Sequence, residues 1–490
     1  MSTIAQQQVT LKQPKGLYLL FSTELWERFG YYTVQAILIL YLTKKLGYTD
    51  QVANLLYATY AALLYLTPIL GGYLADRFLG FQRAIVVGGV LSMLGYILCA
   101  FPQKTPFFIG LSILIVANGL FKPNISSIVG DLYQPNDPRR EGGFTLFYMG
   151  INIGALVPPL IAGGTVERFG WHSGFLLAAL GMAIAVVIFI IGKKGLDFAG
   201  NVPLNSPLQK NRFAKLRFEA LFYLGFAALA AGCFVALQFP QVTNLLVQIG
   251  AVIVAATVLF FMIQEAPSDR KKMLASLILT AISVGFWALY NQTFTSLTLF
   301  ADRNMEQHFL GIPVNASAMQ FFNPLFIILL SPVLSMLWVK LAKRNLNPSI
   351  PGKFFLGVVF MTLGFLILPV GVGMFASEGV ISSSWLVVSY LMQTVGELLI
   401  SPVGLAMITV LTPKRLVGMM MGVWFFAQAA SFAIGGSLAN LAAMPDNVDK
   451  ITSLGIYDHA FLIFGLISLG LAVASALLIP FLRGLIHERE

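Results

Sequence analysis

Three ionisable residues stand together in the first apolar stretch of the chain: Glu24, Glu27 and Arg28. Their i, i+3, i+4 spacing puts them on one face of a helix, with Tyr31 and Tyr32 one turn later on or beside that face. Lys122 interrupts a later apolar stretch next to Pro123, Glu397 lies deep in another, and Asp302 sits near the outer end of a third. Charges in apolar surroundings are costly and mark substrate or ion pathways, unless they only pair to hold helices together. A buried ion pair is a weak ground for stability, because apolar packing holds helices as well. Acids and bases held together in apolar surroundings suit a zwitterionic ligand. Arg28, with its planar fork, and Lys122, a point charge, could hold a carboxylate, and Glu397 could hold an ammonium.

A proton could use the same groups. His172, His308, His459 and His487 all fall at the ends of apolar stretches or between them, so a proton-coupled step would have to use carboxylates. A buried carboxyl keeps or loses its proton according to whether a cation stands beside it, so moving the cation switches it. Asn152 and Asn323 are amides inside apolar stretches, able to donate to a substrate carbonyl or to a neighbouring helix. Tyr65 and Trp424 could line a cavity or simply pack. The string Gly71-Gly72-Tyr73-Leu74-Ala75-Asp76-Arg77 reads as a tight loop with a charge latch, or as a plain solvated loop. Nothing resembles a phosphate-cradling loop, a catalytic triad or a metal cluster, so neither an enzyme nor a cofactor is expected. Cys99 and Cys233 both lie in apolar segments and read as inert packing residues.

The elements that must position these residues follow from composition. Of 490 residues, 57% are hydrophobic and only 11% charged, with a mean hydropathy of +0.81. That composition cannot cover a soluble core with charge, and apolar runs of about 20 residues, enough to span a bilayer, recur from end to end. Backbone in lipid must satisfy its own hydrogen bonds, so the spans are expected to be helices, and the alternating strands of a barrel are missing. The first stretch carries three charges, unlike a signal-peptide core, and should remain as the first helix.

The predicted spans are 17–43, 51–76, 83–101, 106–131, 142–166 and 172–192, then 218–238 and 243–264, then 273–301, 315–340, 353–377, 383–411, 414–443 and 459–483. This 6 + 2 + 6 pattern predicts fourteen helices. Residues 1–192 would form one six-helix bundle and 273–490 the other, with linkers and two inserted helices in 193–272. Thr67-Pro68-Ile69-Leu70 and Ser331-Pro332-Val333-Leu334 end corresponding helices of the two halves, a weak internal repeat. Parallel six-helix repeats mark major facilitators, whose substrate site lies between the halves near the midplane. The net charge of +10 is a matter of topology more than of nucleic acid. With the N-terminus inside, 23 of the 31 lysines and arginines face the cytoplasm, including Lys210 and Arg489, and only 6 lie outside. This bias puts both termini in the cytoplasm.

Four strings then resemble the proton-coupled oligopeptide transporter family over the whole chain. Glu24 to Tyr32, ELWERFGYY, resembles its ExxERFxYY motif, and Phe147 to Gly154, FYMGINIG, its FYxxINxG signature. Asn118 to Asn124, NGLFKPN, resembles its fourth-helix lysine motif, and Gly396 to Leu405, GELLISPVGL, its tenth-helix GELxxSPxGL. Gly71 to Arg77 resembles the major facilitator loop between helices two and three.

The resemblance implies a multi-pass inner-membrane symporter, monomeric and surrounded by lipid, that imports di- and tripeptides with protons. It implies proton coupling and carboxylate binding by Glu24, Glu27, Arg28 and Lys122, and amine binding by Glu397. Tyr31, Tyr32, Tyr65, Asn152, Asn323 and Trp424 would line the site, and Asp302 would act in an extracellular gate. Thr33 departs from the glycine usual after the tyrosine pair, and Ala58 stands where animal relatives carry histidine. Gln35 replaces the basic residue that pairs with the seventh-helix acid in some relatives, which leaves the partner of Asp302 open. A same-family carrier of nitrate or another small anion is the alternative, and Glu397 argues against it because a simple anion has no amine to hold.

Overall fold

The apolar runs fold as helices that close their own backbone hydrogen bonds. The computed structural model describes residues 12–134, 137, 139–196, 199–209, 212–445 and 447–486. Lys210, His487 and Arg489, used above for topology and histidine placement, lie outside the described residues. The first six helices are α1 (Lys15–Leu40), α2 (Asp50–Leu74), α3 (Phe81–Cys99), α4 (Lys104–Asp131), α5 (Arg140–Phe169) and α6 (Trp171–Gly192). Next come α7 (Arg212–Gln238) and α8 (Pro240–Ile263). The second set begins with α9 (Pro267–Tyr290) and the short α10 (Ser296–Asn304), which together make one span. It continues with α11 (Phe322–Ala342), α12 (Ile350–Phe375), α13 (Ser383–Leu411), α14 (Val417–Ala439) and α15 (Lys450–Ile486).

Thirteen stretches among the described residues are long and apolar enough to cross a membrane. The fourteenth is α1, which falls short of that composition because of Glu24, Glu27 and Arg28. The structure departs most from the predicted spans in four places. The seventh span breaks at a 3-10 turn, Asn291–Phe294, where a run of polar residues turns its hydrogen bonds to side chains and to α14: Gln292 donates to the Gly435 carbonyl at 2.9 Å. α15 starts nine residues early because Asp449 caps it, accepting from the backbone N–H of Ile451 and Thr452. α7 and α9 likewise start ahead of their apolar runs, at Arg212 and Pro267.

In the first half, α1 packs on α5 and α6, α3 on α4 and α6, and α2 on α4. In the second, α12 packs on α13 and α15, α9 on α14 and α15, and α11 on α13. The halves meet where α2 lies on α14 and α5 on α11. α7 leans on α4 and α2, while α8 straddles the seam. Asn244 of α8 donates to the Thr59 hydroxyl and the Leu55 carbonyl of α2, at 2.8 and 3.0 Å, and Gln248 donates to the Ala433 carbonyl of α14 at 3.3 Å. Ala58 of α2 lies against Gly436 of α14. Cys99 and Cys233 are free and buried.

Small residues let helices approach closely in a membrane. Gly71 of α2 lies on the Gly119 carbonyl of α4, so a methyl group there would fall on backbone atoms that cannot move aside. Gly71→Ala should therefore destabilise the protein by about 1–3 kcal/mol, the range for overpacking a filled core. Gly232→Ala on α7, where an added Cβ meets no atom within 4 Å, is the matched control. Thermal unfolding of both variants in detergent reads the difference, and equal midpoints would refute this account of the α2–α4 contact.

Candidate substrate and proton site

The regular helix of α1 carries the cluster. Thr33 fits without breaking it, because its buried hydroxyl donates to the Phe29 carbonyl at 2.7 Å. Arg28 is fully buried and binds Glu27 at two points: Nε donates to Oε2 at 2.5 Å and the terminal nitrogen to Oε1 at 2.6 Å. The same Nε stands 3.4 Å from Glu24, whose Oε2 is buried with no hydrogen-bond partner. The guanidinium lies 4.6 Å from the centroid of the Tyr31 ring, a cation–π contact. Glu27 is thus the principal ion partner of Arg28, and Glu24 the looser one.

Lys122 projects from α4, with its ammonium 5.9 Å from the ring centroids of both Tyr31 and Tyr65. No carboxylate lies within ion-pair distance of it among the described residues. In this conformation Glu27 pairs with its neighbour Arg28 rather than with Lys122. The reason is reach: adjacent long side chains fold toward each other across less than one turn, whereas Lys122 must cross between helices.

On the other half Glu397 of α13 accepts from Asn323 of α11 at 2.7 Å and from the Tyr290 hydroxyl at 2.9 Å. Asn323 also donates to Thr394 at 3.1 Å, so its amide is committed to α13 rather than left for a ligand. Asn152 donates to the Tyr148 carbonyl within α5 at 2.9 Å. Trp424 is buried against Gly404, the last glycine of the GELLISPVGL string, where any side chain would strike the indole.

A cavity of about 340 Å³ lies between the halves. That is within the ~300–1,000 Å³ range of small-molecule sites. Arg28, Tyr31, Tyr32, Tyr65, Lys122 and Asn152 line it from the first half, and Asn323, Glu397 and Trp424 from the second. Glu24 and Glu27 do not reach it; they stand behind Arg28. Tyr148, Trp287, Tyr290, Gln320 and Gln428 line it too and were missed from sequence. Two of them had a signal: Tyr148 stands in the FYMGINIG string one turn before Asn152, and Tyr290 is the last residue before the polar run that breaks the seventh span.

One end of the cavity is sealed by contacts between the halves. Asp302 accepts from Lys44 at 2.5 Å, so the lysine after α1, and not Gln35, is its partner. Next to it, Arg303 grips Asp50 of α2 at 2.6 and 2.7 Å and donates to Tyr457 at 3.0 Å. Asp50 also accepts from the Met444 backbone N–H at 3.0 Å, and Asn315 donates to Glu167 at 3.2 Å. At the opposite end, no ion pair or side-chain hydrogen bond joins the two six-helix bundles directly among the described residues.

Comparison with known proteins places this arrangement. The profile of the POT family matches residues 82–456. The chain belongs to the POT family. Its curated POT relatives include dipeptide and tripeptide permease B of Salmonella typhimurium, 36% identical over 484 residues, covering 97% of each protein. Dipeptide and tripeptide permease A of Erwinia pyrifoliae is 37% identical over 486 residues, 98% of this chain and 96% of that protein. Among solved structures, a point-mutant peptide transporter POT in complex with alafosfalin superposes with a TM-score of 0.81 at 36% identity, over 97% of this chain and 96% of that one. These POT matches span nearly the full length, so the major facilitator fold is that of the whole chain and the protein is a membrane transporter.

Proposed function

We propose that this POT-family protein is a secondary active symporter that imports di- and tripeptides with protons by alternating access. The observation that carries it is the division of charge across one cavity: Arg28 and Lys122 on one wall, Glu397 on the other. A short peptide has a carboxylate at one end and an ammonium at the other, so binding it ties the two halves together. The permease names of the relatives support this substrate class. A nitrate carrier would offer the Glu397 carboxylate no cation to meet its charge.

Arg28 and Lys122 hold the peptide carboxylate and Glu397 the amine, with Tyr31, Tyr32, Tyr65, Asn152, Asn323 and Trp424 around the chain. Glu24 and Glu27 take the proton behind Arg28. The Lys44–Asp302 pair serves as the extracellular gate, closed here, so this conformation faces the cytoplasm. Residues 1–192 and 273–490 are the two moving bundles, with 193–272 as linkers and inserted helices. The protein sits as a monomer in the inner-membrane lipid. Peptide-dependent proton flux into liposomes holding the purified protein tests transport directly, and dipeptides but not nitrate should compete. Nitrate-driven flux with no response to dipeptide would replace this reading by the anion carrier.

The topology has its own test. Both termini and the 193–217 linker are cytoplasmic on the basic-residue bias. Leu204 in that linker is highly exposed. A membrane-impermeant thiol reagent added to intact cells should leave Leu204→Cys unlabelled and label it after permeabilisation. Labelling in intact cells would invert the topology.

A further inference from the structure

A second cavity, of about 570 Å³, lies away from the transport site, in a groove between α2, α4 and α7. Leu70, Leu120, Phe218, Phe222 and Leu229 give it an apolar wall. Thr67, a buried member of the lining, donates its hydroxyl to the Ile115 carbonyl at 2.7 Å, so its proton is spent within the protein. Along α7 the groove runs from Phe218 to Leu229. At 1.5 Å per residue that is roughly 16 Å, half a bilayer's hydrocarbon core. Gly225 faces it, and an added Cβ there would meet no atom within 4 Å. The outer wall is open, because Leu70, Tyr73 and Leu221 are exposed.

The mouth has the opposite character. Tyr73, Phe78, Phe218 and Phe222 form a chain of ring contacts there, with centroids 5.7–6.4 Å apart. The guanidinium of Arg77 lies 5.5 Å from the Tyr73 ring centroid. Lys215 and Arg217 are exposed on α7 just before Phe218. Arg83 has its charge met by Glu219 at 2.6 Å, but Arg77, Lys215 and Arg217 have no carboxylate within ion-pair distance among the described residues. Arg77 beside Tyr73, with Lys215 and Arg217 in the turn of α7 that leads into Phe218, puts three such cations at one end of an apolar groove between spans, the complement of an anionic headgroup with an acyl chain. Basic pockets between spans take anionic headgroups, and the apolar groove beside them suits an acyl chain rather than a hydrated polar group.

We propose that this groove is a binding site for an anionic phospholipid, with one acyl chain along α7 and its phosphate held by Arg77, Lys215 and Arg217. Each basic residue near a membrane surface contributes a preference of roughly fivefold for an anionic lipid. The purified full-length protein, stripped of lipid and titrated with phosphatidylglycerol or phosphatidylcholine of the same chains, should show one tight site by native mass spectrometry. Phosphatidylglycerol should bind at least about tenfold more tightly than phosphatidylcholine. Gly225→Phe, which fills the groove and leaves the cations in place, should abolish that site. Arg77→Gln/Lys215→Gln/Arg217→Gln should bring the two lipids to equal affinity. The proposal is overturned if wild-type protein binds both lipids equally, if Gly225→Phe keeps the tight site, or if the groove is covered by a second copy of the chain, seen as a dimer that excludes lipid.

Discussion

Glu27→Gln should bind peptide and exchange it across the membrane, yet lose accumulation driven by a proton gradient. Arg28 spends one edge of its fork, Nε and a terminal nitrogen, on Glu27 in this structure. A neutral glutamine reproduces the protonated acid permanently. It keeps an oxygen near Arg28 but no charge to hold it, so the guanidinium is available to a carboxylate in the cavity. Proton and peptide then favour the same state, and two ligands linked in this way must help each other bind. For each proton coupled, a gradient of one pH unit is worth about 1.4 kcal/mol, or about tenfold accumulation. The variant should fall to about equal concentrations on both sides, with counterflow preserved. Glu24→Gln deserves the parallel measurement, because Glu24 holds an unpartnered buried oxygen and only the looser contact with Arg28. The two assays are gradient-driven uptake and peptide counterflow in proteoliposomes, run for each single variant. If both variants concentrate peptide at wild-type rates under a pH gradient, the proton site is elsewhere.

Glu397→Gln should lower peptide affinity about ten- to a hundredfold. A charge-assisted hydrogen bond is worth roughly 1.5–3 kcal/mol, and every 1.4 kcal/mol is tenfold. The fold should tolerate the change, since the glutamine oxygen can still accept from Asn323 and Tyr290. What disappears is the only carboxylate on the cavity wall among the described residues. A peptide with its amine blocked never had that partner, so it should lose much less. Binding of matched free and blocked dipeptides separates the cases. Equal losses for the two would mean that Glu397 supports the α11–α13 contact and does not meet the amine.

Much of this protein is local and therefore legible in one dimension. Span length, charge at i, i+3 and i+4, and the basic bias of the loops each depend on residues close in sequence. The fourteen spans, the shared face of Glu24, Glu27 and Arg28, and the family strings follow from them. The expected lining residues Arg28, Tyr31, Tyr32, Tyr65, Lys122, Asn152, Asn323, Glu397 and Trp424 all reach one cavity. Sequence also flagged Asp302 near an outer end, but left its partner open.

Only the tertiary structure decided which of these groups touch. Lys44 and Asp302 are 258 positions apart, and Asp50 and Arg303 are 253 apart. No periodicity links such residues; helix packing does. Packing likewise put Tyr290 on Glu397, set Glu24 and Glu27 behind Arg28 instead of on the cavity wall, and left Lys122 between two tyrosine rings. It drew α8 across the seam through Asn244 and Gln248, a placement that an apolar run alone cannot encode. A helix pattern states which face is polar. Which polar group on another helix meets that face depends on the angles and distances of helices brought together by the whole chain, and long flexible side chains amplify small differences in both.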